Sequence, residues 1–282
     1  MNINLPEKEK LKKKTIIIYT TSILICILSI AVVVCLQILG NDIVNNFFGV
    51  NKIVKKTEEE ENELKSNFDN LFNNQLELRE SYSVHKINED KEIIYTSFSY
   101  TEQTSDYELD IHIPYVNIKN KTAQNYNNQI SEIFEDKANT IIESKSKNTI
   151  YTVKYQAYLE NNILSLVIYS ELKQSSSPQR VVIQTFNFNL DNSKQLSLED
   201  MIDIYGLDKN YVQNKITDEI KKAEEKSKDL QNLGYNVFSR DVKSDIYNIE
   251  NSNEFFVHNN NLYIIYAYGN DSLTSEMDLV VI

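Results

Sequence analysis

Over 282 residues, 41 acidic side chains against 29 basic ones leave a formal charge of −12, a balance that repels nucleic acid and anionic polymers and attracts basic proteins. Five glycines, three prolines and no tryptophan exclude collagen-like and low-complexity linker architectures. Both cysteines, Cys26 and Cys35, fall in one apolar run, so residues 40–282 have no thiol for a disulfide and must be held by packing.

That run comes first in the chain. From Thr15 to Leu39 no charge, proline or glycine interrupts it, and as a helix it would extend roughly 37 Å, enough to cross a hydrocarbon core of about 30 Å. Lys8, Lys10, Lys12, Lys13 and Lys14 precede it, and no lysine follows until Lys52. Positive charge marks the inner side. Residues 1–14 are therefore expected as a cytoplasmic tail, 15–39 as one transmembrane helix and 40–282 as an extracellular part held at the cell membrane. A cleaved signal fits less well, because Val32 to Leu39 stay apolar beyond Ser29 and Ala31. Lipidation also fits less well, since Cys35 follows Val32-Val33-Val34 rather than a small residue. The abundance of Asn, Lys and Ile resembles proteins of AT-rich Gram-positive bacteria.

Within 40–80 a juxtamembrane helix is expected. Thr57 can cap it, Glu58 to Glu61 suit its first turn, and Leu64, Phe68, Leu71, Phe72 and Leu76 fall on one face up to about Arg79. Such a face suits packing or self-association. From Glu92 to Val116 the pattern alternates as in half-buried antiparallel strands, with Pro114 expected to end the run. Tyr126, Ile130, Ile133, Phe134, Ala138 and Ile141 then recur as on a helix laid against a sheet. A three-strand meander follows, turning at Asn161-Asn162, and closes near Leu190. Leu196 to Ile202 reads as a short capped helix, and Val212, Ile216, Ile220 and Ala223 as a longer one that the chain leaves at Gly234. Glu254 to Val257, Leu262 to Tyr268 and Met277 to Ile282 read as closing strands. The order predicts an α+β fold, antiparallel sheets with helices packed on one side, in domains 90–194 and 195–282.

Catalytic groups are sparse. His85, His112 and His258 lack a second histidine or cysteine at ligand spacing, and Asp110-Ile111-His112 puts its acid and imidazole together on the polar face of a strand. No G-x-S-x-G occurs, and the isolated glycines cannot cradle phosphate. Acid pairs such as Glu199/Asp200 and Asp218/Glu219 suit solvated helix faces. No catalytic residue, metal or cofactor is expected, and the chain does not read as an enzyme. The candidate binding residues lie near its end, where Phe255, Phe256, Tyr263, Tyr266 and Tyr268 precede Gly269-Asn270-Asp271-Ser272. Tyr266, Tyr268 and Asp271 would form a contact surface for a protein or sugar. In the competing reading Tyr263 and Ile265 enter the core while Tyr266 and Tyr268 only decorate the sheet.

Three stretches carry a family resemblance: Ile113-Pro114-Tyr115-Val116 with Tyr126-Asn127-Asn128-Gln129-Ile130, then Leu196 to Met201, then Phe255-Phe256 with Leu262 to Gly269. Together they resemble the pair of uncharacterised exported domains in the outer part of RsiV-type anti-sigma factors and ahead of some peptidoglycan deacetylases. The resemblance implies an ectodomain that binds lysozyme. The predicted tail, 1–14, is shorter than a sigma-binding segment, so the binding role is what carries over. The expected function is thus a membrane-anchored sensing or binding module, its partner an extracellular lysozyme-like protein or a peptidoglycan fragment, with no nucleic acid. The alternative is an envelope assembly protein that self-associates through the juxtamembrane helix.

Overall fold

A computed structural model describes residues 53–73, 78, 84–144 and 146–282. The predicted tail and transmembrane helix lie outside the described residues, as does part of the juxtamembrane stretch. Among the described residues no helix is long and apolar enough to cross a membrane.

The first helix, α1 (Glu58–Ser66), starts at Thr57, whose side chain and Glu60 form a reciprocal capping box. It stops earlier than the apolar spacing predicts. A 3₁₀ turn, Phe68–Asn73, takes over and buries Phe68 and Phe72. Strands β1 (Ile94–Gln103) and β2 (Tyr107–Val116) form an antiparallel hairpin. Pro114 does not end β2. It pairs with Thr96 beside a bulge at Ser97, where the missing N–H is tolerated, and β2 runs on to Val116.

Helices α2 (Lys121–Ile130) and α3 (Asp136–Ser144) are joined by a π turn, Ser131–Glu135. The extra residue in that turn rotates the apolar stripe. Ile130, Phe134, Ala138 and Ile141 stay buried while Ile133 faces solvent. These helices return the chain to the same end of the sheet, so β3 (Thr149–Glu160) runs parallel to β2. The purely antiparallel expectation is corrected at this one pair, because a helical crossover fixes the strand direction. Strands β4 (Ile163–Gln174), β5 (Arg180–Asn189) and the short β6 (Lys194–Gln195) complete a six-stranded sheet in sequential order. The β3–β4 turn uses Asn161 and Asn162, both at positive φ (51° and 59°), the backbone a two-residue hairpin demands.

After β6, Ser197 caps α4 (Leu198–Ile204) through a box with Asp200, and Asp208 caps α5 (Lys209–Asn232). A second sheet follows: β7 (Glu254–His258), β8 (Asn261–Ala267) and β9 (Met277–Val281), all antiparallel. Asn259 and Asn260, at φ of 52° and 57°, turn β7 into β8.

Three apolar cores stack these parts. On one side of the six-stranded sheet, Leu109, Ile111, Val153 and Phe186 pack under Tyr126, Ile130, Phe134 and Ile141 of α2–α3. Between the sheets, Val167, Val181 and Ile183 meet Phe256, Tyr263 and Ile265, with Phe68 and Phe72 wedged among them. Beyond the second sheet, Phe255, Ile264 and Val280 pack against Met201, Val212, Ile216 and Ile220 of α4 and α5. Each such side chain, fully buried, contributes about 1.5–3 kcal/mol of transfer free energy. The fold is α+β, in four layers: helices, sheet, sheet, helices. β7 lies beside β4 and β5, whose side chains take up its edge groups. Phe255 N–H donates to Thr185 Oγ1 (3.1 Å), Asn187 Nδ2 donates to Phe255 O (2.6 Å), and Val257 N–H donates to Ser165 Oγ (3.3 Å).

Candidate functional site: a cleft at the end of the second sheet

β8 ends in a 3₁₀ turn, Tyr268–Asn270, that is clamped to the start of β5. Arg180 Nε donates to Gly269 O (2.6 Å) and its Nη2 to Asn270 O (3.0 Å), while Ile183 N–H donates to Asn270 Oδ1 (3.0 Å). Gly269 is required by contact. A Cβ there would sit 1.7 Å from Val181 O and 2.7 Å from Thr274 O. This clamp fixes the position from which Asp271, exposed, projects.

Opposite it, the segment between α5 and β7 folds over the end of the sheet around Arg240. The guanidinium binds Asp278 in two-pronged fashion, Nε to Oδ2 at 2.5 Å and Nη2 to Oδ1 at 2.9 Å, and Nη1 reaches Ser227 Oγ (2.5 Å) and Phe238 O (2.9 Å). Its backbone N–H donates to Glu224 (2.6 Å). Burial opposes the charge, but the Asp278 carboxylate holds the group firmly protonated. Tyr268 completes the network. Its ring stacks on Phe238 with centroids 3.9 Å apart, and its hydroxyl bonds to Asp278 Oδ2 (2.5 Å) and Tyr247 Oη (2.9 Å). Burial, then the neighbouring carboxylate, push that hydroxyl's pKa far up. Tyr266 bonds to Ser252 Oγ (2.8 Å) and takes the edge of Tyr247 at 5.0 Å.

Between the clamp and the folded segment lies a cleft of about 220 Å³. Tyr266, Tyr268 and Asp271 all line it, so the structure brings the three predicted residues together. The two tyrosines form its wall and neither projects from the surface. Both are buried, with their hydroxyls engaged internally. Nor do they decorate an open sheet, since both faces of β8 are covered: Leu262, Ile264, Tyr266 and Tyr268 toward the helices, Tyr263, Ile265 and Ala267 toward the other sheet. Sequence reasoning missed Phe238, Ile246, Asn251, Ser252 and Glu254, which join the lining from segments without helical or strand periodicity or from the strand's first residue. Ile246 is 47% exposed, and Leu273, next to the lining residue Ser272, is 61% exposed, an apolar rim. Glu254 accepts from Thr185 N–H (2.6 Å), and burial, opposed by the Thr185 bonds, pushes its carboxyl pKa up to about 7.

The histidines are dispersed. His112 on β2 lies between Asp110 Oδ1 (3.1 Å) and Ser99 Oγ (3.0 Å). His258 on β7 stacks on Tyr158 at 3.9 Å, and burial lowers its pKa. The backbone carbonyl of His85 accepts from Lys119 N–H. Among the described residues no group of three or more His, Cys, Asp or Glu side chains could hold a metal ion.

No family model matches the chain, and no curated protein matches it. Among the similar solved structures are two DUF3298 family proteins. A DUF3298 family protein from Pseudomonas aeruginosa PAO1 is 9% identical, with a TM-score of 0.37, covering 66% of this chain and 85% of that one. A DUF3298 family member from Bacteroides fragilis NCTC 9343 is 13% identical, with a TM-score of 0.36, covering 71% of this chain and 92% of that one.

Proposed function

We propose that the chain is a membrane-anchored binding module of the cell envelope, and that its outer part holds a basic extracellular protein at the Tyr266–Tyr268 cleft. The observation that carries this reading is the cleft's make-up. A rigid aromatic wall, an apolar rim at Ile246 and Leu273, and the exposed carboxylate of Asp271 suit a protruding cationic or amphipathic side chain of a partner. The chain's net charge of −12 favours the same class of partner, and the resemblance to RsiV-type ectodomains points to a lysozyme-like protein.

The competing assembly role asked the juxtamembrane helix for a free apolar face. Phe68 and Phe72 are instead buried between the sheets, and α1 is tied to α5 through Glu61–Lys215 (2.5 Å), Glu58–Lys222 (3.2 Å) and Lys65–Glu219.

Calorimetric titration of the full chain with lysozyme tests the proposal. Wild type should bind, Asp271→Lys and Ile246→Asp should each weaken binding about tenfold or more, and Tyr268→Phe, which keeps the wall, should bind nearly as wild type. Absence of binding even at low salt would sink it, as would binding indifferent to both rim substitutions.

A further inference from the structure

A second concavity lies on the six-stranded sheet, away from the cleft. β2 and β3 pair in parallel from Tyr107–Thr149 to Ile111–Val153 and then separate. Beyond that point β2 stays with β1 (His112 opposite Ser99) and β3 with β4 (Lys154 opposite Tyr169). Where these two strands diverge at their carboxyl ends, a crevice opens beside free strand edges. Here the crevice encloses about 310 Å³, lined by Asp110, His112, Lys154, Tyr155 and Gln156, with Phe72 of the 3₁₀ turn as a wall. A neighbouring cleft of about 240 Å³ shares Phe72 and Lys154 and continues across β4 past Thr152, Tyr169 and Glu171, with Asp69 and Asn73 on its other side. Strand alternation puts these side chains except Tyr155 on one face, opposite Ile111, Val153 and Ile168, which enter the helix-side core; Tyr155 is in phase with Val153 and packs against that core. The two clefts therefore form one groove running across β2, β3 and β4.

The lining decides the kind of ligand. Lys154, Thr152 and Asn73 offer donors, and Asp110, Asp69 and Glu171 offer acceptors, interleaved along the groove. One lysine among three carboxylates would repel a polyphosphate, and so polar a lining would strand an apolar ligand. Rings at Phe72 and Tyr169, with centroids 5.2 Å apart, supply an apolar wall beside the polar groups. Several of these groups are held in place before any ligand arrives. Ser99 and Asp110 orient the His112 imidazole, Thr96 Oγ1 bonds to Tyr155 Oη (2.8 Å), and Tyr169 Oη donates to Glu171 (2.8 Å). Lys154, half-buried and shared by both clefts, forms no ion pair among the described residues. Dense hydroxyls that both donate and accept, on rings with apolar faces, are the chemistry of a sugar chain. We propose that this groove binds an oligosaccharide, with Lys154 as its central hydrogen-bond donor.

The test is calorimetric titration of the full chain with chitotetraose and cellotetraose, paired with saturation-transfer NMR. Saturable binding of at least one sugar is expected. Lys154→Met should weaken it about tenfold, the loss of one charge-assisted hydrogen bond. His112→Gln, which changes only the lining because the imidazole is bonded to Ser99 and Asp110, should weaken it less and leave far-UV circular dichroism unchanged. Asp271→Lys, in the other cleft, should leave sugar binding untouched. No saturable binding of either sugar in the millimolar range would overturn the proposal, as would binding that Lys154→Met leaves intact.

Discussion

Glu254 shows what burial does to one residue. It begins β7, receives Thr185 N–H, and has a carboxyl pKa raised from 4.5 to about 7. The folded state then keeps a proton that the unfolded chain has already lost. Stability from this group is complete below about pH 4.5, falls as pH rises toward 7, and is level above that. The loss is about 3 kcal/mol. Glu254→Gln preserves an oxygen for Thr185 and should flatten that segment of a denaturation-midpoint-against-pH curve. An unchanged slope would place the titration elsewhere. Arg240 and Tyr268 share a network but differ in what removal leaves behind. Arg240→Ala strands the Asp278 carboxylate in a buried site and should cost about 3–5 kcal/mol. Tyr268→Phe leaves the Arg240–Asp278 pair intact and should cost about 1–2 kcal/mol, read by urea denaturation.

Among the elements, the turn after β8 depends most on a single position. Gly269 passes so close to Val181 O that any side chain must displace the turn from β5. Gly269→Ala should therefore cost at least about 3 kcal/mol, a fall in melting temperature of roughly 10 °C for a unit of this size. A small shift with cleft binding retained would show that the turn can move away from β5. Periodicity located the helices well but could not see the π turn. Ile130, Phe134, Ala138 and Ile141 were legible as one face, whereas Ile133 was placed on it and lies outside, because one inserted residue rotates everything after it. In the same way the spacing of Leu64, Phe68 and Phe72 fitted a continued helix. The chain instead tightens into a 3₁₀ turn that drives both phenylalanines between the sheets.

At the scale of the molecule, charge sets how partners arrive. With a net charge of −12, association with a basic protein should slow as salt rises from about 0.01 M to 0.15 M, since the Debye length falls from about 30 Å to 8 Å. Stopped-flow rates measure this, and a salt-independent association rate would remove electrostatic steering from the proposed function. The four layers also explain why both faces of β8 are apolar or aromatic. One packs on a sheet and the other on helices, so a strand that reads as a tyrosine-rich surface becomes the centre of the second half of the fold.

Local chemistry alone determined much of this protein. The caps at Thr57 and Ser197, the Asn-Asn turns at positive φ and the helix and strand types all follow from contacts a few residues apart. So did the neighbourhood of Tyr266, Tyr268 and Asp271, because those three lie within six positions on one strand and its turn. Only tertiary structure decided that the tyrosines are walls, that Glu254, Ile246 and Phe238 join them, and that β3 runs parallel to β2. Those outcomes depend on which faces meet across the layers. That is a property of packing between distant segments, and hydrophobic period, identical for a covered and an open face, does not encode it.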